Sequence, residues 1–323
     1  MAPQTVPCQY RTGKTLWTGT YFTSKEAVHI KTGKWYSCKV IRKEDMREKQ
    51  HLVRREIEVL RRVESDTYHI VKMHDLFETL SNVYLCLDLC TGGTLFDRIH
   101  NYGTYSEAKA ADLVHTILHA VKHIHDLDIE HRDLNPHTLH FRSSAEGAPI
   151  MIAEFEHSRL TDETREGPDD GEMKVYGEHR YMAPEVFSKP NHGKPVDVWG
   201  IGLLAFFMIA GDTPFDRDEV QLETDAIVAG DFEFAPEDKW KDVSVDAREW
   251  IDMCLAVDPD LRPTAKDALE HTWLASAVVT AGRSGLHLRS KFEFPPRRGA
   301  HRRFSPGLRA SPPLEPVYED LPL

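Results

Sequence analysis

Six short motifs in one fixed order constrain this chain more than any property of its composition. Cys38-Lys39-Val40-Ile41 is followed by Arg55-Glu56-Ile57, then by His131-Arg132-Asp133-Leu134-Asn135-Pro136 and Tyr181-Met182-Ala183-Pro184-Glu185. Asp197-Val198-Trp199-Gly200-Ile201-Gly202 comes next, and Asp258-Pro259 with Arg262-Pro263 closes the set. Any one of these arises easily by chance, but the ordered set over residues 8 to 275 leaves little room for more than one fold.

Local pattern places the motifs on elements. Tyr10 to Gly19, Tyr21 to Val28 and Trp35 to Ile41 read as three strands, the third carrying Lys39. Glu48 to Val63 has helical periodicity through Leu52, Ile57, Val59 and Leu60 and presents Glu56 on one face. Val83 to Leu89 reads as a further strand and Ser106 to Leu127 as a long amphipathic helix. The 323 residues suffice for two packed lobes and a tail. Residues 277–323 carry a net charge of +4 against −16 for the remainder, and hold seven of the nineteen prolines, so this tail reads as basic and disordered. An acidic body argues against nucleic acid as a partner. The five cysteines (Cys8, Cys38, Cys86, Cys90, Cys254) are odd in number and include no Cys-x-x-Cys pair, which suggests neither a disulfide framework nor a zinc site and fits a reducing, cytoplasmic setting. The longest apolar run, Ile201 to Ala210, is too short to span a bilayer, and the N-terminus lacks the regions of a signal peptide, so no membrane partner is expected.

In order and spacing the motifs resemble the protein-kinase fold, most of all the calmodulin-dependent Ser/Thr kinase group. The resemblance implies an α+β, bilobal architecture: an extension at 1–7, a kinase-like domain at 8–275 with a small β-rich lobe to about residue 90 and a larger, mainly helical lobe from 91, and a tail at 276–323. It implies that Lys39 and Glu56 form the ion pair that fixes the ATP phosphates, and that Asp133 is the base accepting the proton of the substrate hydroxyl. Leu16, Gly19, Ser37 and Leu87 fall on nucleotide-lining positions. Glu185 with Arg262 corresponds to the pair that ties the activation segment down, and Asp197 with Trp199 to the helix that anchors the catalytic loop. His131, Phe155, Leu60 and Met73 match an apolar spine between the lobes. Arg132 corresponds to a regulatory arginine that awaits an acidic group on the activation segment, where Asp162, Glu163, Glu166, Asp169, Asp170 and Glu172 already supply carboxylates.

The departures from the family pattern cluster on phosphate handling. In the glycine-rich loop only Gly19 survives, with Trp17 and Phe22 at positions where backbone amides must approach phosphate unobstructed. Ser24 and Ser37 replace the apolar contacts above the adenine. Glu154-Phe155-Glu156 stands in place of Asp-Phe-Gly; the extra methylene of Glu154 shifts the metal-binding carboxylate by about 1 Å, a misplacement worth roughly 100-fold in rate. Thr138 occupies the second metal position and Asn135 the position of the lysine that reaches the transferred phosphate. Counting Asn135, Glu156 and Glu178, the cleft is three charges more negative than the pattern.

A retained scaffold with altered phosphate handling implies a pseudokinase, a regulatory or scaffolding module with weak or absent phosphotransfer. The alternative is an unconventional, active Ser/Thr kinase in which Lys39, Asp133 and Glu154 suffice, with ATP and magnesium or manganese as weakly held cofactors. Other proteins, kinases or their substrates, are the expected partners. Calmodulin is not expected, because Pro295-Pro296 cuts short the basic and apolar stretch from Arg283 to Phe294. Ser305, in Arg302-Arg303-Phe304-Ser305-Pro306, is a regulatory phosphorylation candidate whose added charge would release a basic tail docked on the acidic body.

Overall fold

The computed structural model describes residues 9–19, 21–46, 50–63, 69–161, 178–188 and 192–275. The small lobe is a five-stranded antiparallel sheet in the order β1-β2-β3-β5-β4, formed by β1 (Tyr10–Thr18), β2 (Phe22–His29), β3 (Trp35–Arg42), β4 (Met73–Glu78) and β5 (Asn82–Asp88), with α1 (Gln50–Arg62) between β3 and β4. The alternation of a pleated strand decides which residues face the cleft. Cys38 packs outward with Ala27, Phe77, Tyr84 and Cys86, while Ile41, two residues beyond Lys39, joins the main core with Val83 and Leu85. Lys39 and Ser37 therefore share the cleft face. On α1 the buried positions Leu52, Val53, Glu56, Val59 and Leu60 form one helical stripe, so Glu56 is carried into the core by its apolar neighbours.

The large lobe begins with α2 (Leu95–Tyr102), capped by a reciprocal pair in which Thr94 and Asp97 each accept a hydrogen bond from the other's backbone N–H. The helix α3 (Glu107–Asp126) follows from its Ser106 cap. Two short antiparallel ribbons, β6 (Ile129–Glu130) with β9 (Arg159–Leu160) and β7 (Leu139–Phe141) with β8 (Ile150–Ile152), bracket the catalytic loop. After the short α4 (Pro184–Ser188), α5 (Pro195–Ala210) is buried over almost its whole circumference, as its apolar run predicts. Its glycines make that packing possible: a Cβ at Gly200 would stand 3.0 Å from the Leu134 carbonyl, and one at Gly202 2.8 Å from the Cys254 Cβ. The remaining helices, α6 (Val220–Ala229), α7 (Glu237–Trp240), α8 (Val245–Cys254) and α9 (Ala265–Leu269), close the lobe around Trp199, Trp240 and Trp250. Among the described residues no helix is long and apolar enough to cross a membrane.

Candidate active site

The catalytic loop is held from below by one buried carboxylate. Asp197, on the first turn of α5, accepts hydrogen bonds from the backbone N–H of His131 (2.9 Å) and of Arg132 (2.7 Å) and lies 2.8 Å from His125 Nε2. Burial works against its charge, but the hydrogen bond from His125, the charges of His125 and His131 and the backbone donor outweigh it and hold the carboxyl below its ordinary range. This anchor lets Arg132 adopt φ 69° and turns Asp133 into the cleft. On the next layer His131 packs its ring edge-on to Phe155 at 4.9 Å, with Leu60 buried and Met73 packed against the same core.

Asp133 is 12 % exposed at its side chain. Its Oδ1 accepts a hydrogen bond from Asn135 Nδ2 at 2.8 Å and a longer one from the Glu178 backbone N–H at 3.4 Å. Burial pushes the carboxyl up to about 7, opposed by the Asn135 amide and assisted by the negative charge of Glu154. Asn135 thus supplies no positive charge to the cleft; its amide orients the aspartate, while its Oδ1 accepts from the His137 N–H at 2.8 Å. Thr138 is 1 % exposed and donates its hydroxyl within the loop, 3.0 Å from the Asp133 carbonyl and 3.1 Å from that of Asn135.

Across the cleft, Lys39 Nζ donates to both oxygens of Glu56 at 2.8 Å, and to Glu156 Oε2 at 3.0 Å. Two carboxylates share one ammonium, and they respond oppositely: burial holds Glu56 above its usual value, whereas for Glu156 the attraction of Lys39 overcomes burial and lowers it. Tyr21 OH donates to the same Glu156 oxygen at 2.8 Å. The Phe22 ring lies 3.9 Å from the Lys39 ammonium and packs on Trp17 at 5.0 Å, an arrangement tight enough that a Cβ at Gly19 would stand 2.8 Å from the Trp17 ring. His157 links this cluster to the base position, 3.5 Å from Glu156 Oε1 and 3.9 Å from Asp133 Oδ2.

The other positions singled out in the sequence are dispersed around this centre. Ser24 and Ser37 do not leave two unpaired hydroxyls above the nucleotide site, because they bond each other at 2.8 Å. Ser37 pairs with Leu87 across β3 and β5, while Leu16 stands 38 % exposed near the end of β1. Glu154 adopts the left-handed conformation (φ 64°), with Oε1 3.6 Å from His140 Nε2. Glu178 lies at the entrance, 38 % exposed at its side chain and 3.8 Å from His137. Arg132 Nη2 is 3.1 Å from His192 Nε2. The acidic residues of 162–172 expected to face it, and Ser305 with the tail, lie outside the described residues. Beside Asp133 lies a small crevice of about 20 Å³, walled by Leu134, Tyr181, Met182, Val186 and Val196. Sequence reasoning missed Tyr21 and His157 as site residues; their signal was an acidic residue at 156, which needs donors around it once buried.

Among the described residues no group of three His, Cys, Asp or Glu side chains is placed to hold a metal. A single magnesium or manganese ion shared with nucleotide phosphates and water needs only one or two protein carboxylates, and Glu154 offers one. The Thr138 hydroxyl is buried and held within the loop, accepting from the Asn135 N–H at 3.2 Å as well as donating to the two carbonyls.

A lysine–glutamate pair between β3 and α1, facing an aspartate on an anchored loop, defines a phosphotransferase scaffold of the bilobal type. The chain belongs to the protein kinase family: the family description "Protein kinase domain" matches residues 10–274. It is 47 % identical over 84 % of its length to the calcium/calmodulin-dependent protein kinase cmkB of Emericella nidulans, covering 67 % of that protein. It is 42 % identical over 84 % of its length to the calcium/calmodulin-dependent protein kinase type I of Schizosaccharomyces pombe, covering 80 % of it. A calcium/calmodulin-dependent protein kinase type 1 of Caenorhabditis elegans is 37 % identical over 75 % of this chain and is covered to 67 %.

These relatives overturn the expectation of a pseudokinase. Proteins this similar over the whole catalytic domain carry the name of protein kinases, and the geometry gives a physical reason why counting departures misled: Lys39, Glu56 and Asp133 are all brought to the cleft, and Asn135 is spent on orienting Asp133. The same relatives weigh against the expectation that calmodulin is not a partner.

Proposed function

We propose that this chain is an active Ser/Thr protein kinase that transfers the γ-phosphate of ATP to hydroxyls of protein substrates, in the manner of the calmodulin-dependent kinases it is similar to. The observation that carries the reading is the buried Lys39–Glu56 pair at 2.8 Å facing an Asp133 oriented by Asn135. In this reading the adenine lies against Leu16, Ser37 and Leu87, and Lys39 meets the phosphates. Asp133, with its carboxyl near 7, is balanced between holding and taking a proton at neutral pH, which suits a base that must accept the substrate hydroxyl's proton as it attacks. The apolar wall next to Asp133, formed by Leu134, Tyr181, Met182, Val186 and Val196, lies beside the substrate segment, while Glu178 on the same rim favours a basic residue nearby. Glu154 would hold one magnesium or manganese ion, which when bound neutralises phosphate charge.

The test is phosphotransfer from labelled ATP to a basic Ser/Thr peptide, with magnesium or manganese, beside Asp133→Asn. Wild type is expected to exceed the variant by roughly 100-fold or more. Equal rates with both ions refute the reading. The relatives' names bring calcium-loaded calmodulin in as a partner, acting through the basic and apolar residues between Arg283 and Phe294; the assay with and without it should show a higher rate in its presence.

A further inference from the structure

The ammonium of Lys39 has three N–H donors, and all three are spent inside the protein: two on the oxygens of Glu56 and one on Glu156. The Phe22 ring at 3.9 Å covers a further side. A phosphate oxygen can therefore reach this lysine only by displacing one of its present acceptors. The two acceptors are not equally held. Glu56 is fixed within α1 at 1 % exposure, whereas the Glu156 side chain is 14 % exposed on a single 3-10 turn, Phe155–His157. Glu156 is the one that can leave.

Its departure would not be local. Glu156 Oε2 also accepts the Tyr21 hydroxyl, and Tyr21 immediately precedes β2, so one carboxylate ties the entry of β2 to β3 and to the start of the activation segment. Tyr21 is only 6 % exposed and Phe22 7 %, so the entry to β2 is packed down against this cluster. On its other side Glu156 Oε1 faces His157 Nε2 at 3.5 Å, which gives the carboxylate a partner other than Lys39.

We propose that Glu156 is a latch built into this kinase: its carboxylate stands in for a nucleotide phosphate on Lys39, holds Tyr21 at the entry to β2, and must be displaced before ATP phosphates engage. The inference rests on the kinase reading for its consequence, but not for its test. A latch at the phosphate position opposes ATP and is indifferent to a ligand without phosphates. A merely structural role for Glu156 moves both alike.

The experiment measures the dissociation constants of ATP with magnesium and of adenosine for the full chain, for Glu156→Gln and for Tyr21→Phe, each checked for an unchanged circular dichroism spectrum. Glu156→Gln removes the charge with the same shape, and is expected to bind ATP about tenfold more tightly with adenosine unchanged. Tyr21→Phe removes one hydroxyl while keeping the ring, and is expected to tighten ATP two- to threefold by weakening the hold on Glu156. ATP affinity unchanged in both variants, or ATP and adenosine shifting by the same factor, overturns the latch. Phosphotransfer missing from wild type and Glu156→Gln alike, with ATP affinity rising as described, refutes the kinase reading and supports the latch.

Discussion

Removing Arg262 should cost this protein more stability than any exposed ion pair could. Its guanidinium is buried, and each of its five N–H donors has an acceptor: Nη1 and Nη2 meet the two oxygens of Glu185 at 2.6 and 2.7 Å, and the remaining donors reach the carbonyls of Ala256, Pro195 and Val257 at 2.7, 3.1 and 3.2 Å. The Trp199 ring lies 4.9 Å from the guanidinium carbon. Arg262→Ala strands a carboxylate that is 3 % exposed together with three carbonyl groups, a loss of about 3–5 kcal/mol for breaking a buried pair from one side. Against a domain stability of roughly 5–15 kcal/mol that is a large share. At about 2–4 °C per kcal/mol for domains of this order of size, the melting temperature should fall by roughly 6–20 °C. Arg262→Lys should recover little, because three donors cannot replace five and the fork to Glu185 is lost. Glu185→Leu combined with Arg262→Met should recover much of the loss, since the cost lies in the stranded charge. Differential scanning fluorimetry of the four proteins decides it. A drop below 2 °C for Arg262→Ala, or a double variant no better than the single one, would refute the argument.

Two further outcomes follow from other groups. The Asp133 carboxyl rises from 3.8 to about 7 on folding, so between those values the native state keeps a proton that the unfolded chain has released, and stability falls as pH rises through the window. The melting temperature of Asp133→Asn should match wild type near pH 4 and exceed it increasingly up to pH 7.5, and a constant difference across that range would contradict the burial of this group. The Ser24–Ser37 hydrogen bond predicts coupling in a double-mutant cycle to alanine of about 0.5–1.5 kcal/mol, measured by denaturant unfolding; additive single costs would show that the two hydroxyls act separately.

Much of the fold was legible because its signals are local. The strand expected over Trp35 to Ile41 is observed as Trp35–Arg42, and the helix expected over Ser106 to Leu127 as Glu107–Asp126, since a period-two run and a long apolar stripe each state their own geometry. The helix expected from Glu48 is described only from Gln50, where residues 47–49 fall outside the described set. The five-strand order, with β5 between β3 and β4, was not legible, because no local pattern reports which edge a returning strand joins.

The site was legible in its members and misread in how its charges act. Counting charges put Glu156 among three changes opposing phosphate, which assumes that every charge in a cleft acts on the ligand. Distance decides otherwise. At 3.0 Å from Lys39 the carboxylate acts first on the lysine, and both side chains are largely buried, so their attraction is weakly screened and a phosphate must compete for the same ammonium. The same holds for Asn135, whose missing charge was counted as a loss while its amide was already committed to Asp133 at 2.8 Å. A substituted residue in a buried cleft must first satisfy its own polar atoms, and the neighbours it recruits determine whether it hinders the ligand, orients a partner, or does both in turn. For Glu156 that order of precedence makes it a competitor that nucleotide can displace rather than a charge that bars it.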